Sequence, residues 1–182
     1  MFERRKMENI LVSENCKKLC PLSRYACAYV LAKHENEWYI LVHKRSWVMT
    51  HPFKYCGPGG SIDRGETSYQ AVLRELREEV GLDSSDVDGY FWTTPYQKRT
   101  NNYIAANYVF VCDFEWLLQN VKGPQEQFQN EVDMHTKFLD LIDSFVIQNT
   151  GHCLLNLFKN IDNPNLHRIF GKNCIELVEL LK

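Results

Sequence analysis

Short apolar runs predict two strands near the start of the chain. Residues 25–32 (YACAYVLA) and 38–43 (WYILVH) are rich in aromatic and aliphatic side chains, and the polar segment 34–37 (HENE) separates them. Runs of this length between turn-forming residues are typical of strands. A shorter strand is predicted near Tyr55, just before the glycine-rich segment 57–60, which interrupts regular structure.

The second half of the chain predicts a hairpin followed by helices. The predicted elements are strands at 90–96 and 104–114 with a tip at 97–102, a polar loop at 121–131, a short strand at 136–141, and helices at 144–161 and 173–181. Strands on both sides of a central helix, with helices at the end, indicate a mixed α/β layer fold.

The central helix is predicted over residues 67–80. Thr67 and Gln70 have the spacing of a capping box, and Gly81 stands where a helix commonly ends in a left-handed residue. Apolar side chains recur at helical spacing and predict the face that packs on the core. They are Tyr69, Val72, Leu73, Leu76 and Val80.

Three acids crowd the end of this helix. Glu75, Glu78 and Glu79 are three and four residues apart, so they repel one another, and they also oppose the helix dipole. One interpretation is a solvated charged face whose cost Arg74 relieves by ion pairing. The other is a cluster of oxygen ligands for a divalent cation such as Mg²⁺. The acids alone do not decide between the two interpretations.

Length and composition fit one globular domain. The chain has 182 residues, 45% of them apolar and 13% aromatic, and its net charge is −2 with acids and bases mixed along it. This balance predicts neither a broad nucleic-acid surface, so no DNA partner is expected, nor a membrane partner. The seven cysteines are predicted to be free thiols in a reducing compartment, which favours a cytoplasmic location. We expect an N-terminal extension over 1–22 and a single domain over 23–182.

The residues ahead of the helix carry a resemblance. Gly60 is followed after five residues by Glu66, and after seven more by the run 74–82, RELREEVGL. This pattern resembles the Nudix box at every fixed position. The resemblance implies an α/β/α sandwich with a mixed sheet and C-terminal helices. It also implies a hydrolase that cleaves the diphosphate bond of a nucleoside diphosphate linked to another group X.

By this resemblance, the metal ligands would be Glu75, Glu78, Glu79 and the carbonyl of Gly60, and the ion would be Mg²⁺ or Mn²⁺. The attacking water would give its proton to a carboxylate. Glu75, Glu78 and the loop acid Glu131 are the catalytic candidates, and the loop also offers Glu126. The sequence leaves the choice of base open.

Three residues of the box are expected to be structural. Glu66 would pair with Arg74 and hold the loop against the helix, and Gly81 would end the helix.

The sequence says less about the residues that bind the substrate than about the metal ligands. Arg45 would meet substrate phosphates, and Tyr55 would line the binding site, although Phe53 and Tyr55 depart from the usual approach to the box. The expected partner is a small nucleotide or nucleotide derivative. The sequence leaves open whether the protein forms a homodimer. The alternative functions are a catalytically silent nucleotide-binding module of the Nudix fold and an RNA-processing enzyme of the decapping type.

Overall fold

The computed structural model describes residues 23–45, 49, 51–83, 85, 87–92, 94–102, 104–123, 141–147 and 150–182. The predicted extension 1–22, the loop acids Glu126 and Glu131, and the predicted strand 136–141 except Leu141 lie outside these residues.

Eight described strands form one mixed sheet. They are β1 (Tyr25–His34), β2 (Glu37–Lys44), β3 (Tyr55–Cys56), β4 (Gly59–Ser61), β5 (Asp88–Trp92), β6 (Ala105–Cys112), β7 (Ser144–Ile147) and β8 (His152–Asn156). The strand order is β5-β6-β1-β2-β8-β7, with β3 paired to β2 and β4 paired to β1. All pairs are antiparallel except β1 with β6, which run parallel from Tyr25↔Ala105 to Ala32↔Cys112.

The described helices lie on both faces of this sheet. They are α1 (Ser68–Glu75), continued by a π-helical turn (Leu76–Val80), then α2 (Pro95–Thr100), α3 (Phe114–Asn120) and α4 (Arg168–Leu181). Side chains alternate along β1, so Tyr29 joins the core under α4 while Val30 joins the core under α1 and α3. The architecture is therefore the expected α/β fold with a helical layer on each face of the sheet.

The central helix forms as predicted at both ends. Thr67 and Gln70 make the reciprocal bonds of a capping box, and Gly81 ends the helix with φ of 74°. Val72 is fully buried, as the apolar spacing requires. Tyr69, which was also expected on the core face, is instead 38% exposed, and its ring lies beside Tyr108 with centroids 5.4 Å apart.

The predicted helix over 144–161 is wrong, because this stretch forms the antiparallel pair β7 and β8. Strand β8 is buried at every position, between β2 and β7. A strand that is buried on both faces reads as a continuous apolar run, which periodicity does not separate from a buried helix. The turn before β8 is fixed by the Thr150 hydroxyl, which donates to the Ile147 carbonyl at 2.8 Å.

Two short helices were not predicted. The tip of the β5–β6 hairpin contains α2, which Thr94 and Gln97 start with a second capping box. After β6, the Asp113 side chain accepts from the Trp116 amide at 2.8 Å and starts α3. Both start signals are visible in the sequence, but each helix is too short for helical periodicity to reveal it.

The last helix begins at Arg168, five residues earlier than the predicted start at residue 173. Within the described residues, no helix is long and apolar enough to cross a membrane. The five described cysteines are free thiols, as predicted.

Candidate active site

The glycine turn brings the backbone against the acidic end of α1. Strand β4 pairs with β1, and this pairing sets Ala26 opposite Gly60. A Cβ atom at Gly60 would overlap the carboxylate of Glu75, so only glycine allows the two groups to lie this close. The Gly59 amide donates to Oε2 of Glu79 at 3.0 Å. Two of the three clustered acids therefore touch the turn.

Arg74 is the centre of the hydrogen-bond network. Its Nε and Nη2 atoms donate to the two carboxylate oxygens of Glu66 at 3.1 and 3.2 Å. Its Nη1 atom donates to Glu75 at 2.8 Å and to Glu78 at 3.3 Å, and Nη2 also donates to the Ser61 carbonyl at 2.9 Å. One guanidinium thus links the loop, the β4 strand and two of the clustered acids.

The loop before α1 is held by Glu66. The hydrogen bonds from Arg74 hold the pKa of the Glu66 carboxyl below its usual value, and the Asp63 amide, which donates to Oε2 at 3.0 Å, acts in the same direction. The hydrogen bonds that Arg74 donates, first to Glu66 and then to Glu75, raise the pKa of Arg74, so this guanidinium stays charged. The pairing that the sequence predicted is present, and its contacts are those of a structural clamp.

The three acids have different surroundings. The Glu75 side chain is 13% exposed and the Glu78 side chain is 54% exposed. Burial raises the pKa of Glu79 above its usual value, and the charges on Glu75 and Glu78 add to this rise. His43 and the Gly59 amide oppose it. A carboxyl in this position gains from a nearby positive charge.

The acidic residues suit a divalent cation by their chemistry. Among the described side chains, no three histidine, cysteine, aspartate or glutamate groups already converge as a metal-binding set. Glu75 and Glu78 are instead turned towards Arg74. The donors are nevertheless carboxylate oxygens, and the bare backbone at Gly60 leaves its neighbouring carboxylate room beside the turn. Oxygen ligands of this kind are those that Mg²⁺ and Mn²⁺ take.

Two further buried groups, which the sequence analysis did not single out, border Glu79. His43 on β2 and Cys56 on β3 face each other, with Nε2 and Sγ 3.5 Å apart. Burial lowers the pKa of His43 and raises the pKa of Cys56 to about 11. Among the residues that the structure describes, the buried Nδ1 atom of His43 has no hydrogen-bond partner. In the sequence, His43 is visible only as the last residue of the predicted strand 38–43, because a single histidine shows no metal-ligand spacing.

The two predicted substrate residues lie close to this site but in different surroundings. Arg45 follows β2 directly, and its Nη1 atom donates to Sγ of Cys56 at 3.9 Å. Tyr55 is 2% exposed and belongs to the core under α4. Its assignment to substrate binding stays a prediction, although its burial is that of a core residue. The catalytic candidate Glu131 lies outside the described residues.

The chain is similar in sequence to known proteins. The sequence profile of the NUDIX domain matches residues 21–141. The chain is 40% identical over 53 residues to the 8-oxo-dGTP diphosphatase of Escherichia coli (strain K12), a match that covers 29% of this chain and 40% of that protein. It is 30% identical over 89 residues to the RNA pyrophosphohydrolase of Francisella tularensis subsp. mediasiatica (strain FSC147), covering 44% and 55%. These matches span about half the length of the relatives.

Solved structures share the fold. The crystal structure of a C. elegans Ap4A hydrolase binary complex superposes with a TM-score of 0.54 at 13% identity, covering 87% of this chain and 97% of that one. At this identity the likeness shows the fold alone. Because the domain profile matches most of the chain, including the glycine turn and the whole acidic helix, the protein belongs to the Nudix family.

Proposed function

We propose that the protein is a metal-dependent hydrolase that cleaves a diphosphate bond in a nucleotide derivative. The observation that carries the proposal is the acidic end of α1, where Glu75 and Glu79 touch the glycine turn at Gly60 and Gly59 and Arg74 binds both Glu75 and Glu78. The relatives described above are named as a diphosphatase and a pyrophosphohydrolase, which supports the same reaction class.

The residues that would hold the cation are Glu75, Glu78, Glu79 and the carbonyl of Gly60. When bound, Mg²⁺ or Mn²⁺ supplies charge neutralisation on phosphoryl oxygens and lowers the pKa of the attacking water. The protein supplies the fixed geometry, because Arg74 ties the acids on the helix to the loop through Glu66. Arg45 stands beside the same site and offers a guanidinium that matches phosphate geometry.

In this proposal a carboxylate accepts the proton of the attacking water as general base. Glu75, Glu78 and Glu131 are the candidates for this base. Single Glu→Gln changes at the three positions separate them, because loss of the base should change the pH dependence of kcat, whereas loss of a ligand at Glu75 or Glu78 should change the requirement for metal ion. If each of the three variants keeps the pH profile of the wild-type protein, none of the three residues is the base.

The test of the reaction is a panel of nucleotide derivatives with Mg²⁺ or Mn²⁺, with the products identified by mass. Hydrolysis in water enriched in heavy oxygen should place the label on phosphorus. The exposed Glu179 on α4 provides a matched control, since Glu179→Gln removes one carboxylate from a helix that packs on the opposite face of the sheet from α1. Cleavage of phosphate monoesters alone, labelling of carbon, or full activity in excess EDTA would contradict the proposal. Nucleotide binding without turnover would identify a silent module.

A second candidate is removal of diphosphate from the 5′ end of RNA. The observation that favours it is the similarity to an RNA pyrophosphohydrolase. The net charge of −2, with no broad basic surface expected from the sequence, favours a small nucleotide instead. A 5′-triphosphorylated RNA therefore belongs in the panel, and a kcat/KM for this RNA above that of every free nucleotide would establish the second candidate.

A further inference from the structure

A cluster of basic side chains lies beside the acidic site, and the reaction as described does not use most of it. This basic cluster consists of Arg45 after β2, His51 in the following loop, and His167 and Arg168 at the start of α4. The rings of His51 and His167 meet edge to face with centroids 5.2 Å apart. Both His51 and Arg168 are exposed, so a ligand in solvent can reach them.

The backbone joins the two segments that carry the cluster. The Arg45 amide donates to the Lys54 carbonyl at 2.9 Å, and the Phe53 amide donates to the Arg45 carbonyl at 3.0 Å. The His167 amide donates to the Tyr55 carbonyl at 2.8 Å. These bonds tie Arg45 to residues 53 and 54 and tie Tyr55 to the start of α4, so the backbone that carries Arg45 and His167 is joined through one short segment.

The loop also adopts a costly backbone conformation. His51 and Phe53 both have positive φ, at 56° and 62°, although neither is a glycine. Non-glycine residues hold this conformation only when the surrounding structure enforces it, and such residues are concentrated at ligand-binding sites. The strain lies in the segment that presents His51 to His167.

Charges of one sign act on His167. Burial lowers the pKa of this imidazole, and Arg45, His51 and Arg168 lower it further. The positive charges of Arg45 and Arg168 that disfavour a proton on His167 would favour a bound anion at the same place. The cluster therefore has the electrostatics of an anion site.

The basic cluster is continuous with the acidic end of α1. Arg45 donates to Cys56, and the charges on both Arg45 and Glu79 influence the pKa of this thiol, in opposite directions. Glu79 in turn accepts from Gly59, three residues after Cys56. A phosphate chain that reaches the acids would thus pass Arg45 and extend towards His51, His167 and Arg168.

We propose that His51, His167 and Arg168 bind a phosphate group of the substrate beyond the pair that is cleaved, and so select nucleotides with three or more phosphates. The inference rests on the proposed function, because it takes the scissile diphosphate to lie at the acidic end. Phosphate is the class of ligand that arginine and protonated histidine recognise by charge-assisted hydrogen bonds.

The kinetic test compares the di-, tri- and tetraphosphates of one nucleoside. In the wild-type protein, kcat/KM should rise when the third phosphate is added. Arg168→Gln should reduce the ratio of kcat/KM for triphosphate over diphosphate by about tenfold, the size of one charge-assisted hydrogen bond. His51→Gln should reduce it in the same direction. Lys182→Gln is the matched control, because it removes one positive charge from the opposite end of α4 and should leave the ratio unchanged.

A binding test separates this inference from the reaction. Calorimetry in EDTA should show that inorganic tripolyphosphate binds the wild-type protein more tightly than pyrophosphate does, and that Arg168→Gln removes the difference. This readout remains informative if no nucleotide is hydrolysed, an outcome that would defeat the proposed function alone. Equal affinity for the two anions in the wild-type protein, or an unchanged kinetic ratio in Arg168→Gln that folds normally, would overturn the inference.

Discussion

Two helix ends in this protein carry charge of the sign that helices disfavour. Glu78 and Glu79 stand in the last turn of the helix formed by α1 and its π-helical continuation, and Arg168 stands at the start of α4. Each such charge opposes the helix dipole at a cost of about 0.3–1 kcal/mol. The two ends are neighbours, connected through Arg45 and Cys56. In our two proposals, a metal ion at the acidic end and a phosphate group at the start of α4 offset these costs.

The two ends differ in what holds them. At the acidic end, the protein supplies its own counter-charge, because Arg74 donates to Glu75 and Glu78. At the start of α4, the charged groups that lower the pKa of His167 carry the same sign as its protonated ring. The acidic end is thus partly compensated by Arg74, whereas at the start of α4 our proposal assigns the counter-charge to a phosphate group of the substrate.

The largest expected effect is at the acidic end. Glu79→Gln keeps the shape of the side chain and removes one charge, so turnover should fall by about 100-fold or more. The free energy of unfolding in EDTA should stay equal or rise by a few tenths of a kcal/mol, because a repulsion is lost. Steady-state kinetics and urea unfolding measure the two quantities. Near-normal turnover in this variant would remove the acidic end from the mechanism.

The next effect tests whether Arg74 compensates the acidic end. Glu66→Gln removes the carboxylate that accepts from Nε and Nη2 of Arg74, and the Glu66 side chain is only 16% exposed. We expect a loss of about 1–3 kcal/mol in the free energy of unfolding, larger than any change in Glu79→Gln. Thermal midpoints of the two variants in EDTA provide the comparison. An equal or smaller loss at Glu66 would contradict the clamp.

The two ends should respond to pH with opposite signs in EDTA. The folded-state pKa of Glu79 is raised above 4.5, so the folded chain holds this proton more tightly and stability falls as pH rises through that pKa. Burial lowers the folded-state pKa of His167 below 6.5, so stability falls as pH drops below about 6.5. Urea unfolding across this range should show that Glu79→Gln flattens the first dependence and His167→Gln flattens the second. If Glu79→Gln leaves the first dependence unchanged, Glu79 does not cause it, and if His167→Gln leaves the second unchanged, His167 does not cause it.

The smallest expected effect on the free energy of unfolding is at the start of α4, where Arg168 lies. Arg168→Gln should raise the free energy of unfolding by about 0.3–1 kcal/mol, since a cation leaves the positive end of a helix dipole. Lys182→Gln, at the other end of α4, should lower it slightly, because a cation there is favourable. The pair is compared by chemical denaturation at low salt. If both changes destabilise, Arg168 contributes packing rather than unfavourable charge.

The sequence predicted the acidic end and missed the basic cluster for a physical reason. Glu75, Glu78 and Glu79 lie on one helix, so their spacing along the chain is also their spacing in space. The basic cluster joins residues 45 and 51 to residues 167 and 168, and only the folded sheet brings them together. No local pattern records such a contact.

The same limit explains the errors in the fold. Helix α1 was predicted because its caps and its apolar face are local features. Strand β8 was mistaken for part of a helix because its burial between β2 and β7 depends on partners elsewhere in the chain. The π-helical form of Leu76–Val80 was also not predicted, since its sequence fits an ordinary helix equally well.

The parallel pairing of β1 with β6 has a consequence for how the protein folds. Strand β1 lies in the middle of the sheet, yet residue 25 pairs with residue 105 and residue 39 of the adjoining strand pairs with residue 156. Contacts between such distant segments require long loops to close before they give any stabilisation, which slows folding. During synthesis, the middle of the sheet stays incomplete until residue 156 has left the ribosome. Until then, the apolar strands β1 and β2 lack β8 as a neighbour and are exposed to association with other chains.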